Sequence, residues 1–194
     1  MNKMNSAAEG KPFFTAKTMS LIGLMTALTC VLGPLAIPLP FSPVPISFTN
    51  LAVYLAVYVL GMKAGTVSYL VYLLLGMAGL PVFSGFTGGI GKLAGPTGGY
   101  LIGFIFMAII AGFTIEYFPG KKLIHAAGLI LGTGVCYLFG TVWLAHQLGI
   151  SFTAALASGV IPYLPGDTAK ILFALVIGSR LRREIALLSQ RSSR

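Results

Sequence analysis

"ISFTNLAVYLAVYVLGMKAGTVSYLVYLLLG", residues 46–76, carries a single charged side chain, Lys63, between two apolar runs. Each run approaches the roughly 20 residues that a helix needs to cross a hydrocarbon core. Inside lipid a backbone must satisfy its own polar groups, which leaves helices and closed barrels. Both runs are continuously apolar, without the alternation of a barrel strand, so they read as helices. The stretch is expected to form two membrane helices, at about 46–62 and 65–80, with Lys63 between them.

The same signature recurs at about 19–37, 98–118, 124–148 and, less cleanly, 166–188, separated by turns rich in Gly, Pro and Lys. Six transmembrane helices result, an all-α membrane protein. A chain of 194 residues with 56% hydrophobic and 9% charged residues leaves no room for a large soluble domain beside them. One membrane domain over 19–188 is expected, with a polar segment 1–18 before it and a basic tail 189–194 after it.

Charge orients the bundle. Lys3, Lys11 and Lys17 precede the first run, Lys63 joins the second to the third, and Lys121 and Lys122 join the fourth to the fifth. Arg180, Arg182, Arg183, Arg191 and Arg194 end the chain. All fall on one side, which the positive-inside rule assigns to the cytoplasm, with both termini. Topology and attraction to membrane lipid headgroups absorb the net charge of +9, so no nucleic-acid partner is expected. The N-terminal segment lacks a small-residue cleavage site and reads as an uncleaved anchor. Cys30 and Cys136 sit inside apolar runs, as small hydrophobes rather than metal or disulfide cysteines.

Two lysines fall on the other side, Lys92 and Lys170, in segments that are nearly uncharged: 33–50, 79–99 and 149–167. Loops facing plain water are rarely so apolar, whereas irregular backbone lining a membrane cavity is. In "GKLAGPTGGYLIGF" (91–104), Gly89, Gly91 and Ala94 fit a dinucleotide pattern, but no strand precedes them, and Leu93 stands where a Walker loop needs Ser or Thr. Gly99 and Gly103 form a ridge for close helix packing. Upstream of Pro96, Gly88, Gly89, Gly91 and Gly95 are expected to shape a loop near a ligand, with Lys92 and Tyr100 pointing into the same space.

"LPGDTAK" (164–170) supplies the second signal: Asp167 can cap a helix start, and Lys170 lies three residues on, on the same face. The span from Asp167 to Ser179 is too short to cross the bilayer. The helix therefore starts at depth, or starts near Phe152 and breaks at "PYLPG". Either way a carboxylate and an ammonium enter the membrane, where charge is costly and usually functional. A helix-stabilising ion pair is the alternative; a pocket for a small solute with hydrogen-bond donors and an anionic group is the reading adopted. His125 and His146 have no acidic residue at metal-ligand spacing, and Ser84 has no nucleophile-elbow context, so no catalysis or metal is expected.

The strings "PLPFSPVPISFTNLAVYLAVYVLG", "GLPVFSGFTGGIGKLAGPTGGYLIGF" and "IPYLPGDTAKILFALVIG" resemble the three signature regions of the BioY family, the biotin-binding S components of energy-coupling factor (ECF) transporters. The likeness runs from about Met19 to Arg183. It implies a six-helix S-component fold and a biotin pocket near the outer face, with biotin as ligand and no cofactor. It also implies that Asp167 and Lys170 contact the vitamin: Asp167 accepting from a ureido N–H, Lys170 donating to the ureido oxygen or the valerate carboxylate. Thr49 and Asn50 stand where the family often has Gln-Thr, and Lys92 where an apolar residue is common; Lys92 either pairs with the carboxylate tail or extends to water. Gly89, Gly91, Phe86, Tyr100 and Tyr163 complete the expected site.

The resemblance further implies partners that hydrolyse ATP: a transmembrane coupling protein and two cytoplasmic ATPases. Gly23 and Ala27 form a small-xxx-small pattern on the first helix, for docking that coupling protein or for packing inside the bundle. The expected gate is "PLPFSPVPIS", stiffened by its prolines and hinged near Gly33. The alternative function is a self-sufficient secondary permease, although no internal repeat is visible.

Overall fold

A computed structural model describes residues 15–191. The segment 1–14 and residues 192–194, with Lys3, Glu9, Lys11 and Arg194, lie outside the described residues, as does most of the expected N-terminal segment. Helix α1 (Ala16–Leu32) is capped by Thr15, whose hydroxyl accepts from Thr18 N. Strands β1 (Ala36–Leu39) and β2 (Ser42–Ser47) follow, then α2 (Thr49–Met77), α3 (Ile90–Ala94), α4 (Gly98–Tyr117) and α5 (Lys122–Leu148). Helix α6 (Phe152–Gly159), a 3₁₀ turn at Ile161–Tyr163 and α7 (Leu164–Arg191) complete the chain. Among the described residues four helical stretches are long and apolar enough to cross a membrane: Thr49–Met77, Gly98–Tyr117, Lys122–Leu148 and Phe152–Ile185; α1 is a shorter apolar helix.

Helix α2 does not run straight. Gly61 adopts φ 79° and ψ −172°, which only glycine tolerates. Beyond it the chain folds back, because a Cβ on Gly65 would lie 3.0 Å from Val57 Cα. Eight residues along a continuous helix would separate them by roughly 12 Å. The reversal expected at Lys63 therefore falls two residues earlier. Glu116 of α4 holds it, its Oε2 accepting from Met62 N at 2.7 Å.

Tyrosines and glycines organise the core. Tyr54, Tyr58, Tyr69 and Tyr72 are all but fully buried. Tyr69 donates to Leu101 O (2.7 Å), Tyr72 to Val82 O (2.9 Å), and Tyr54 shares a hydrogen with Thr133 (2.5 Å). Helices α4 and α5 approach closely at the expected ridge: a Cβ on Gly99 would strike Trp143, and one on Gly103 would strike Cys136. Large apolar side chains face outward instead, among them Leu24, Leu123, Ile130, Leu131 and Leu172, the inverse of a water-soluble surface.

Three expectations need correction. The fold is not all-α, because residues 36–47 form an antiparallel hairpin pairing Ala36 with Ser47 and Ile37 with Ile46. Pro38, Pro40, Pro43 and Pro45 bar a helix there, and a two-stranded ribbon has free edges that accept residues without an N–H donor. Gly33 is no open hinge: it keeps a helical φ of −60° at the end of α1, and a Cβ there would meet Tyr72 Oη at 2.6 Å. Asp167 is no cap either, since α7 begins at Leu164 and places Asp167 in its first turn. The anticipated break near "PYLPG" is present as the 3₁₀ turn between α6 and α7.

Candidate functional site

A cavity lies beneath the hairpin. Val44, Pro45 and Ser47 contribute from β2, Asn50 from α2, Phe83 and Ser84 from the following loop, and Lys92 from α3. Tyr100, Phe104 and Met107 come from α4, Thr133, Cys136 and Tyr137 from α5, and Tyr163, Asp167 and Lys170 from the 3₁₀ turn and α7. Its free volume is about 70 Å³, and about 680 Å³ when the open solvent at its mouth is included. Small-molecule sites usually enclose roughly 300–1,000 Å³, so the walls must part before a drug-sized ligand is enclosed.

The polar heart of the cavity is a three-residue cluster. Positions 167 and 170 share a face of α7, and Lys170 Nζ donates to Asp167 Oδ1 at 2.9 Å. Tyr137 of α5 donates to Oδ2 at 2.5 Å, so each carboxylate oxygen holds one donor. Lys170 Nζ also donates to Ser47 O at 2.6 Å and lies 5.7 Å from the Phe48 ring centre. Asp167 and Lys170 are each only 9% exposed. Charges this buried persist only when paired and hydrogen-bonded, as here.

Lysine 170 thus ties β2 to α7, and a second tie joins the hairpin to the 3₁₀ turn. There the Tyr163 hydroxyl is shared between the Val44 carbonyl and Ser42 Oγ, the latter 2.9 Å away. Asn50 is buried, and its Oδ1 accepts from Leu51 N at 3.0 Å. Lys92 is half-buried, with Ser84 O at 3.5 Å, and burial pushes its ammonium pKa down. The remaining walls are aromatic or apolar: Phe83, Tyr100, Leu101, Phe104 and Met107.

Six residues expected from the sequence meet here: Asn50, Lys92, Tyr100, Tyr163, Asp167 and Lys170. Four do not form its walls. Thr49 is buried behind the cavity, its hydroxyl 2.7 Å from Ser47 Oγ. Phe86 is 67% exposed with φ 57°, while Phe83, fully buried, takes the inward position. Gly89 and Gly91 start the short helix α3, where a loop was expected, and neither lines the cavity. Tyr137 and Thr133, one helical turn apart on α5, are the main polar residues that sequence reasoning missed. An apolar helix carries no mark of which tyrosine faces a cavity.

Elsewhere, Gly23 and Ala27 are exposed on α1, where they line an apolar groove with Thr26, Cys30, Val67 and Val71. No atom lies within 4 Å of where a Gly23 Cβ would sit, so Gly23 is not packed inside the bundle. Among the described residues no three His, Cys, Asp or Glu side chains gather as metal ligands. His125 Nε2 lies 2.9 Å from Phe118 O.

The BioY family model matches residues 3–187. A probable biotin transporter BioY of Pyrococcus horikoshii is 40% identical over 167 residues, covering 86% of this chain and 97% of that protein. The biotin transporter BioY of Thermotoga maritima is 38% identical, covering 83% of this chain and 93% of its own length. A crystal structure of the S-component for biotin from an ECF-type ABC transporter is similar with a TM-score of 0.81 at 33% identity, covering 88% of this chain and 95% of that one.

Proposed function

Because the chain belongs to the BioY family, we propose that this multi-pass membrane protein captures biotin and carries it inward as the S component of an ECF-type transporter. The observation that carries the reading is the Asp167–Lys170–Tyr137 cluster, a buried ion pair with a phenol donor, walled by aromatic and apolar side chains. Biotin offers a ureido group with two donors and one acceptor, a bicyclic apolar body and a carboxylate tail. A carboxylate has about four lone-pair positions, so Asp167 can accept a ureido N–H while keeping its present donors. Lys170 supplies a donor to the ureido oxygen or the tail, and Asn50 a further pair of donors. Tyr100, Phe104 and Met107 offer surface to the bicycle, and Lys92 offers a second cation. Thr49, Phe86, Gly89 and Gly91 act indirectly, through the shape of the segments around the cavity.

The topology proposed is six spans: α1, the two arms of α2 about Gly61, α4, α5 and α7, with both termini cytoplasmic. One membrane domain then occupies 19–188, flanked by 1–18 and 189–194. Two recesses support this, one lined by Lys17, Lys63 and Arg182 together with Glu116, the other by Lys122, Arg180 and Arg183. Along α7, Arg182 lies 15 residues from Asp167, roughly 22 Å. The cations therefore mark the inner end and the cavity the outer one.

Transport involves no covalent step. Biotin enters beneath the hairpin, which closes over it, and ATP turnover in two cytoplasmic ATPases reorients the protein through a transmembrane coupling protein. The exposed small-residue face at Gly23 and Ala27 is the proposed docking surface. The test is calorimetric titration of biotin into the detergent-purified protein, with riboflavin and thiamine as controls. Saturable binding of biotin alone, lost in Asp167→Asn and Lys170→Ala, is expected. Absence of binding, or binding indifferent to both substitutions, would refute the assignment.

A further inference from the structure

We propose that the recess between the start of α5 and residues 176–183 of α7 binds the phosphate headgroup of an anionic phospholipid. This rests on reading that end of the bundle as cytoplasmic. Val176, Ser179, Arg180 and Arg183 follow one another at helical spacing on one face of α7, and Lys122 is the first residue of α5. Together they line an open recess of about 320 Å³. Among the described residues the only salt bridge is Lys170–Asp167, so none of these three cations is directly paired, although exposed Glu184 lies one turn beyond Arg180 on α7. Helix α5 also begins here, with Lys121 at a cap position that supplies no side-chain acceptor. Its dipole adds to the positive potential.

The surroundings favour a lipid over a soluble anion. Leu172 and Val176 continue the same stripe of α7 away from Arg180, 60% and 53% exposed, and Leu123 beside Lys122 is 87% exposed. Apolar surface therefore gives way to cations at this recess, matching the junction between acyl chain and phosphate in one lipid molecule. Basic pockets between membrane helices on the cytoplasmic side suit such headgroups. General attraction of a basic face to a charged leaflet would involve Lys17 and Lys63 equally, whereas a built site singles out Lys122, Arg180 and Arg183.

The experiment titrates the purified protein in neutral detergent with short-chain phosphatidylglycerol, phosphatidylcholine and glycerol phosphate, counting bound molecules by native mass spectrometry. Phosphatidylglycerol is expected to bind at least about tenfold more tightly than phosphatidylcholine. Each cation near a membrane surface contributes roughly fivefold, so Arg180→Gln/Arg183→Gln is expected to weaken it about 25-fold. Lys17→Gln/Lys63→Gln, which removes the same charge from the other recess, leaves it within about threefold on the same argument. Arg180→Lys/Arg183→Lys, which keeps the charge, guards against misfolding and retains most of the preference. Equal binding of the two lipids, equal losses in the two Gln doubles, or glycerol phosphate binding as tightly as phosphatidylglycerol would overturn the proposal. Biotin affinity is measured on the same samples: loss of lipid preference with biotin binding intact sinks this inference alone, and the converse sinks the biotin reading alone.

Discussion

Removing both partners of the Asp167–Lys170 pair is expected to cost far less stability than the sum of removing each alone, though every such variant abolishes ligand binding. In Lys170→Met the Asp167 carboxylate stays 9% exposed with Tyr137 as its remaining donor, and Ser47 O loses its own. Leaving a buried charge uncompensated costs about 3–5 kcal/mol. Asp167→Leu strands the ammonium and costs a similar amount. In the double variant neither charge is buried. What remains is the Tyr137 hydroxyl and the Ser47 carbonyl without partners, about 1–3 kcal/mol each, well below the sum of the two single losses. The coupling between the two sites should therefore amount to about 3 kcal/mol, the upper end of the range for contacting residues. Adding Tyr137→Phe removes one of the stranded groups and recovers more. Unfolding in mixed micelles gives the stability side and biotin calorimetry the binding side. A double variant destabilised by the full sum of the singles would refute the reasoning, because the two side chains would then act independently and not as a pair.

Lys92→Met tests the second cation by the ligand's tail. Affinity for biotin should fall about tenfold, the range of a partly exposed charge-assisted hydrogen bond, while affinity for the uncharged biotin amide should not change. Burial already lowers the Lys92 pKa, and the ammonium is the form that binds a carboxylate. Biotin affinity should therefore decline on the alkaline side sooner than an ordinary lysine would allow, and this decline should vanish in Lys92→Met. Gly61→Ala puts a Cβ 2.7 Å from Glu116 Oε2 at a backbone conformation reserved for glycine. A loss of about 2–4 kcal/mol in unfolding is expected from strain and the displaced Met62 acceptor together, and a change below 0.5 kcal/mol would refute the account of the turn.

The parts of this molecule that lipid dictates were legible in the sequence. The apolar runs, the reversal near Lys63 and the glycine ridge at Gly99 and Gly103 follow from span length and close packing. Asp167 and Lys170 were legible because charge is rare in so apolar a chain. The hairpin was not: its prolines exclude a helix, yet pairing depends on what lies opposite, and nothing local marks Ile46 as the partner of Ile37. Phe86 looked as suitable for a site as Phe83. A tight turn closed by the Phe83–Thr87 bridge sends one ring into the core and the other outward. Tyr137 was hard to single out: Thr133 and Thr141 share its face one turn to either side, but the run around them is otherwise apolar, and only the placement of α7 selects the face that meets a carboxylate.

The small free volume under the hairpin, about 70 Å³, leads to an expectation for the kinetics of capture. A ligand that meets the closed form waits for the walls to part, so the observed association rate climbs with concentration only until opening becomes the slower step, then levels off. The measured dissociation constant is the intrinsic one divided by the fraction of molecules standing open. Each tenfold scarcity of the open form takes about 1.4 kcal/mol from the apparent affinity. Substitutions that loosen the ties at Ser47 and Tyr163 would then quicken loading and unloading alike, trading residence time for speed.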